Sequence, residues 1–203
     1  MYKKFFKRFI DIVLSIAGIV VLAIPMLIVA IIIKVDSKGP VLFKQVRVGK
    51  DKKPFTILKF RSMAQDTPKN VPTHMLGSAT SYITKFGAFM RKTSIDEFPQ
   101  LFCILKGDMT IIGPRPCLFN QEDLMEEREK YGANNLKPGL TGWAQVNGRD
   151  ELPIDVKARF DGEYVEKMSF LFDVKCFCLT FIRVLKKDGV QEGKKEEKEE
   201  VSV

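Results

Sequence analysis

The stretch that decides the architecture is IVLSIAGIVVLAIPMLIVAIII, residues 12–33, which contains no charged side chain. At about 1.5 Å of rise per residue, a helix over this stretch would cover about 33 Å, close to the thickness of one hydrocarbon core. Basic residues flank it on both sides: Lys3, Lys4, Lys7 and Arg8 precede it, and Lys34 and Lys38 follow it. The pattern predicts an N-terminal segment embedded in a membrane.

Pro25 lies in the middle of this stretch. Proline lacks a backbone donor and clashes with the preceding turn, so it tends to kink or break a helix. Because basic residues favour the cytoplasmic side, two basic ends favour a segment that enters one leaflet, turns at Pro25 and leaves on the same side. A kinked spanning helix stays open as the alternative. A signal peptide fits less well, since the apolar stretch is long and no small-residue cleavage site follows.

The charge of the chain indicates anionic partners. The formal net charge is +8, although residues 191–203 carry more Glu than Lys. Such an excess on a membrane protein favours anionic lipid headgroups or phosphorylated substrates. No zinc-finger, helix-turn-helix or RNA-binding signature accompanies the charge, so we do not expect nucleic acid as a partner. The tail 191–203 is predicted to be disordered.

The cysteines and the single histidine narrow the possible chemistry. Cys103, Cys117, Cys176 and Cys178 lack the spacing of a metal site, and we expect them to be reduced and buried. His74 is the only histidine. Because one histidine cannot serve both a Ser-His-Asp triad and a zinc site, most hydrolase mechanisms are excluded. Any catalysis is therefore expected to rely on carboxylates.

Two alternating extended runs, 41–48 and 55–63, are separated by a turn-rich segment and predict a β-hairpin. The period of two places Phe55, Ile57, Lys59 and Arg61 on one face of the second strand. Two cations at successive positions of one face are explained either by a solvated edge or by a phosphate contact.

Helices are expected beyond the hairpin, and a glycine-rich loop interrupts them. The helical segments are 82–92, 94–105 with a stop at Gly107, 118–131 and 155–187. The last is rich in Phe, Leu, Ile and Val with interspersed cations, which suits either a helix in the membrane interface or core packing. The stretch KPGLTGWAQVNGR, residues 137–149, holds too many glycines for a helix or a long strand. Its backbone is expected to approach another group closely.

Asp96 and Glu97 are the leading candidates for chemistry. They lie in TSIDEFPQL, residues 93–101, where Ser94 and Glu97 match a capping box, so helix capping is the simpler interpretation. Pro99 fits better if Asp96 is the cap. In either case both carboxylates would lie at a helix N-terminus, which favours their ionised form. An ionised aspartate there could attack the phosphorus of a magnesium-bound pyrophosphate.

Arg115 lies between two prolines that restrict its backbone. A guanidinium on a rigid turn is suited to bidentate phosphate binding. Alone, the tripeptide is only a turn. Together with Asp96, it predicts an anion site to which these cations would also contribute: Lys59, Arg61 and Arg91.

Four motifs occur in order behind the proline-containing apolar segment: KFRSM (59–63), RKTSIDEFPQL (91–101), KGDMTIIGPRP (106–116) and KPGLTGWAQVNGR (137–149). In this order they resemble the bacterial sugar transferase family, the monotopic polyprenol-phosphate phosphoglycosyl transferases. The resemblance covers about residues 3–190, and the short N-terminal segment resembles the small members of the family. Ile24-Pro25 departs from the Ser-Pro that small members often carry at the helix break.

The resemblance implies an enzyme that moves a phosphosugar from a UDP-sugar to polyprenol (undecaprenyl) phosphate, releases UMP and requires Mg²⁺. Asp96 corresponds to the nucleophile that forms a phosphosugar-aspartyl intermediate. Glu97 corresponds to its acidic partner, which binds magnesium or helps to deprotonate the polyprenol phosphate. The positions that correspond to phosphate-binding residues are Lys59, Arg61, Arg91, Arg115 and Arg149. Asp161 corresponds to another acidic position of the family, with a weaker claim to a functional role.

The implied fold is α+β and mainly helical, with a re-entrant helix broken at Pro25, a small β-hairpin and amphipathic interfacial helices around a cytosolic active site. The expected division is a membrane anchor at 1–36, a cytosolic catalytic domain at 37–190 and the tail. The expected location is the cytosolic face of the bacterial inner membrane, where the enzyme would make the first lipid-linked sugar of a surface glycan. A non-catalytic scaffold that binds anionic lipid is the alternative, although it gives no reason for Asp96, Glu97 and Arg115.

Overall fold

The computed structural model describes residues 2–68, 82–148 and 152–186. The chain is mainly helical, with two small sheets. In the described ranges the α-helices are α1 (Lys7–Asp36), α2 (Lys85–Thr93), α3 (Gln100–Lys106), α4 (Glu122–Glu129), α5 (Trp143–Val146), α6 (Ile154–Lys167) and α7 (Phe170–Lys186). The strands are β1 (Leu42–Val48), β2 (Pro54–Phe60), β3 (Thr110–Ile112) and β4 (Gly139–Thr141).

Helix α1 is long and apolar enough to cross a membrane by length and composition. Many of its apolar side chains are exposed, among them Val21 at 73% and Ile24 at 72%. The helix continues through Pro25, which lies inside its bounds. The expected break of the helix at Pro25 was therefore wrong. The re-entrant course of the segment through a membrane stays a prediction.

Both ends of α1 are held by the rest of the chain. Near its start, Arg8 donates to the carbonyls of Ile104 (2.6 Å) and Leu105 (2.8 Å) at the C-terminus of α3. One turn later, the buried Asp11 accepts from the Ile111 backbone amide (3.0 Å). Near its end, Ile33 joins a buried apolar cluster formed with other elements. These contacts offset the cost of an internal proline, which is about 3 kcal/mol in a helix interior.

The predicted hairpin is confirmed. Strands β1 and β2 are antiparallel, with Phe43 opposite Lys59 and Arg47 opposite Phe55. Phe55 and Ile57 on the inner face of β2 are buried in the main core with Ile104 and Met109. The hairpin therefore presents one face to the interior of the protein. Lys59 lies on that face, near the end of the hairpin that adjoins α1.

The glycine-rich stretch is not only a loop, since it contains β4 and the short α5. Strand β4 pairs in parallel with β3. A Cβ at Gly139 would overlap the backbone of Gly113, so the expected close approach is to the chain's own backbone. The Gly139 amide also donates to the Pro114 carbonyl (2.8 Å). This contact anchors the turn that carries Arg115.

The predicted C-terminal helical segment is confirmed as two helices, α6 and α7. Tyr164 of α6 is buried, and its hydroxyl donates to Asp173 of α7 (2.7 Å). Lys7 also binds Asp173 (2.6 Å), which ties the N-terminus of α1 to α7. The outer face of α7 exposes large apolar residues such as Leu171 and Phe181. An interfacial position for this helix stays a prediction.

Three of the four cysteines are buried and free, as expected. The expectation was wrong for Cys178, which is free but exposed. His74, most of the loop 64–80 and the tail 191–203 lie outside the described residues.

Candidate active site

A cavity of about 380 Å³ lies against the hairpin. Its lining comes from both strands, the segment 61–68, Arg91 of α2 and Asp96. Four of the predicted site residues therefore meet at one cavity: Lys59, Arg61, Arg91 and Asp96. A volume of this size lies within the range of small-molecule sites.

Asp96 and Glu97 lie in a short 3₁₀ turn, Ile95–Glu97, between α2 and α3. The capping-box interpretation was wrong. Ser94 ends α2 in the left-handed region with φ of 57°, and its side chain makes no capping hydrogen bond. The helix α3 begins after Pro99, three residues beyond Asp96. A left-handed conformation is unfavourable for a residue with a side chain, and such strain often accompanies functional positions.

Glu97 connects two cations of the predicted site. Lys59 donates to Glu97 Oε1 over 2.7 Å, and Arg115 Nη1 lies 3.7 Å from the same oxygen. The Glu97 side chain is 12% exposed, whereas that of Arg115 is 30% exposed. The structure therefore brings Arg115 next to the acidic pair.

Asp96 is 7% exposed. Burial raises its pKa above the ordinary value, and the neighbouring Glu97 acts in the same direction, while Lys59, Arg91 and Arg115 lower the pKa. This differs from the expectation that a helix N-terminus would favour the ionised form, because the turn around Asp96 is too short to carry a helix dipole. The surrounding cations are what favour the carboxylate.

Arg61 is buried, and its guanidinium is hydrogen-bonded to the chain at the end of α1. It donates to the Lys38 carbonyl and to the Ser37 carbonyl (2.7 Å), and also lies 3.0 Å from the Ser37 hydroxyl. Only its Nε is buried without a hydrogen-bond partner in the structure. Arg61 thus joins the end of α1 to the cavity.

Asp161 is brought into a different environment from Asp96. It is 1% exposed and pairs with Arg128 of α4, whose Nε donates over 2.8 Å and whose Nη2 lies 2.6 Å away. Burial raises the pKa of Asp161, and Arg128 opposes that rise. Asp161 does not line the cavity. Arg149 lies outside the described residues.

Gln45 and Arg47 of β1 line the cavity and were missed by the sequence analysis. Arg47 donates from Nε to Gln45 Oε1 (2.9 Å) and from Nη1 to the Pro116 carbonyl (3.2 Å). The alternation that was applied to the second strand would have found them, since they share a face of β1 with Phe43.

The acidic pair also fits a magnesium ion. In the described residues there is no cluster of three or more His, Cys, Asp or Glu side chains that could hold a metal. Magnesium, however, is commonly bound through one or two carboxylates together with substrate phosphates. The carboxylates of Asp96, which lines the cavity, and of the adjacent Glu97 are of that kind.

The class of protein follows from comparison with known families. The family model for bacterial sugar transferases matches residues 2–187, so the chain belongs to that family. Members named as sugar phosphotransferases make it an enzyme, and the scaffold alternative is set aside.

Individual relatives differ in length. An uncharacterized sugar transferase of Bacillus subtilis is 38% identical over 186 residues, which cover 92% of this chain and 90% of the relative. The UDP-glucose:undecaprenyl-phosphate glucose-1-phosphate transferase of Escherichia coli is 37% identical over 187 residues, 89% of this chain and 40% of the relative. A UDP-N-acetylgalactosamine-undecaprenyl-phosphate N-acetylgalactosaminephosphotransferase of Aeromonas hydrophila is 36% identical over 178 residues, which cover 84% of this chain and 41% of the relative. The chain thus spans less than half of the two relatives with named substrates.

Proposed function

We propose that this enzyme transfers a sugar phosphate from a UDP-sugar to undecaprenyl phosphate and releases UMP. The observation that carries the proposal is Asp96, a buried carboxylate in the lining of a cavity with Lys59 and Arg91, next to Glu97 and Arg115. Two relatives carry names for this type of transfer, one with glucose and one with N-acetylgalactosamine.

The reaction runs in two displacements at one phosphorus. An Asp96 carboxylate oxygen attacks the sugar-bearing phosphorus of the donor, and the bond from that phosphorus to the UMP oxygen breaks. A phosphate oxygen of undecaprenyl phosphate then attacks the same phosphorus, and the bond to Asp96 breaks. The product is an undecaprenyl-diphosphate sugar, and Asp96 is regenerated as a carboxylate.

The remaining residues stabilise charge. Arg115 and Arg91 face the acidic pair and are suited to the donor's phosphate oxygens. Lys59 holds Glu97 in place through its 2.7 Å contact. Asp96 and Glu97 would hold magnesium, which when bound supplies charge neutralisation at the diphosphate.

The location of both ends of α1 supports a one-sided membrane attachment. Arg8 near the start of the helix and Ser37 after its end both bind the body that carries the cavity. We propose that both ends lie on the cytosolic side of the inner membrane. Undecaprenyl phosphate would then present its headgroup at the interface beside the cavity.

The test is UMP release by purified protein with undecaprenyl phosphate and a panel of UDP-sugars, with magnesium and with EDTA. Magnesium-dependent release with one donor, and a phosphosugar adduct on a peptide containing Asp96 when the acceptor is omitted, are the expected results. If UMP is released only when undecaprenyl phosphate is present, and no adduct is detected at any time, the covalent route is contradicted. Failure with every donor, in folded protein, would contradict the proposed function.

A further inference from the structure

Strand β1 connects the end of α1 to the far end of the cavity. The segment leaves α1 at Ser37, whose carbonyl is held by Arg61, and reaches the strand after Pro40. The first lining residues are apolar, whereas the later ones are polar or charged. In chain order they are Pro40, Leu42, Phe43, Lys44, Gln45 and Arg47. Along β1 the lining therefore changes from apolar to polar with distance from α1, whereas Arg61 supplies a charged group at the α1 end.

The register of the hairpin gives the length over which the lining along β1 changes. Phe43 lies opposite Lys59, which contacts Glu97, so the reacting groups lie near this level of the hairpin. Arg47 lies opposite Phe55, four residues farther along. At about 3.4 Å per residue, the distance along the strand is about 14 Å. An extended nucleoside monophosphate spans a comparable distance.

The side chains at the far end are already oriented. The Arg47 guanidinium is held by Gln45 and by the Pro116 carbonyl, and the Val48 amide donates to the Cys117 carbonyl (3.0 Å). These contacts restrict the plane of the Arg47 guanidinium. A fixed guanidinium beside a fixed amide loses little side-chain entropy when a ligand binds.

We propose that Gln45 and Arg47 bind the nucleotide half of the donor, the part that leaves as UMP. The proposal rests on the proposed function and assigns one end of its cavity. The isoprenoid chain of the acceptor is apolar and comes from the membrane, so it fits the end at Pro40 and Leu42. The water-soluble nucleotide would then occupy the opposite end, at Gln45 and Arg47.

The chemistry of the two side chains matches uridine. The imide edge of uracil offers an N–H donor between two carbonyl acceptors, and the NH₂ group of a glutamine amide is suited to donate to such a carbonyl. The Gln45 Oε1 atom itself accepts from Arg47 Nε. A guanidinium binds phosphate or stacks on the plane of a base. The relatives named above use different sugars but share a UDP donor, so a nucleotide subsite of this kind serves the shared part.

The experiment measures UMP affinity by calorimetry on detergent-purified full-length protein, together with the KM values for donor and acceptor. The variants are Gln45→Leu and Arg47→Gln. Val46→Thr is the matched control, because Val46 lies between them, is 52% exposed and does not line the cavity. Loss of one contact to the ligand is expected to weaken UMP binding and raise the donor KM about tenfold. The acceptor KM should change by less than about twofold, and the control should match the wild type.

A double-variant comparison separates binding from support of the Arg115 turn. If Arg47 binds the nucleotide directly, Arg47→Gln should weaken UMP binding equally in the wild type and in Arg115→Ala. If its effect disappears in Arg115→Ala, Arg47 acts only through the turn, and its assignment is overturned. Unchanged UMP affinity in both single variants of an active enzyme overturns the subsite, while the proposed function stands. A wild type that neither binds UMP nor transfers sugar phosphate contradicts the proposed function itself.

Discussion

Asp96 and Asp161 share burial and a raised pKa, but their surroundings differ in kind. Asp161 is paired with the buried guanidinium of Arg128 between two helices and does not line the 380 Å³ cavity. Asp96 lines a cavity and shares several cations with Glu97. Burial alone therefore does not distinguish the proposed nucleophile from a structural carboxylate. The distinguishing feature is space for a substrate next to charge that is not committed to one partner.

The largest expected effect separates the two aspartates by activity. Asp96→Asn removes the attacking oxygen charge and keeps the size of the side chain, so UMP release should fall by at least about 10³-fold. The measurement is initial UMP release, with circular dichroism to check folding. A variant that is folded and releases UMP at a rate close to the wild type would remove Asp96 from the reaction.

The second prediction separates them by stability. Asp161→Asn leaves Arg128 buried without its counter-charge, and the free energy of unfolding should fall by about 3–5 kcal/mol. Turnover per folded molecule should stay near the wild-type value. Denaturant unfolding in detergent measures the loss. The matched control is Arg128→Met with Asp161→Leu, which should recover most of the stability; equal stability of Asp161→Asn and wild type would show that the pair contributes nothing.

Glu97 tests how the cations beside Asp96 are held. Glu97→Gln keeps the shape but weakens the contacts to Lys59 and Arg115, and turnover should fall by about 10–100-fold. The magnesium concentration for half-maximal rate should rise if Glu97 is a metal ligand. Glu129→Gln, an exposed partner of Lys52, is the control and should be unaffected. Loss of rate with an unchanged magnesium requirement would assign Glu97 to cation positioning alone.

The pH dependence of stability is expected to reveal the burial of Asp96. Because burial raises its folded-state pKa above the ordinary 3.8, the protonated form favours the fold. That contribution is complete below the ordinary pKa and is lost as the pH rises through the folded-state value. In buffer without magnesium, Asp96→Asn should therefore melt above the wild type at neutral pH, and the difference should shrink on acidification. A difference that grows at low pH would contradict the sign.

The smallest effect concerns thiol reactivity on α7. Burial raises the pKa of Cys176 to about 12, so at pH 8 its thiol is protonated and enclosed, whereas Cys178 is exposed. We expect maleimide to label Cys178 first among the four cysteines. Peptide mass spectrometry after brief labelling gives the order. Rapid labelling of Cys176 would show that α7 does not pack as described.

Local patterns predicted local structure well. Alternation predicted the hairpin, and Gly107 ends α3 with φ of 102°, as a helix-stopping glycine does. Ser94 was misassigned because it ends α2 in a left-handed conformation, a position that Gly or Asn usually takes, so its residue type gave no sign of it. Its role depends on α2, which the motif does not include.

Long-range pairing was not available from the sequence. The partner of Asp161 is 33 positions away in the chain, and no spacing rule connects them. Pro25 was expected to break the helix, yet the contacts at Arg8 and Ile33 hold both sides of it. Lys59, Arg91 and Asp96 were grouped as one anion site from their residue types, and again through the resemblance to a family, but their meeting at one cavity is seen only in the structure.

The contact between Arg61 and the end of α1 helps to set the distance between that end and Asp96. Arg61 binds the carbonyls of Ser37 and Lys38, and two residues before it Lys59 holds Glu97 beside Asp96. The distance from the last turn of α1 to Asp96 is thus set by hydrogen bonds and a short strand. With both ends of α1 on one side of a membrane, as proposed, the protein itself would set the height of Asp96 above the headgroups, and turnover would be insensitive to bilayer thickness.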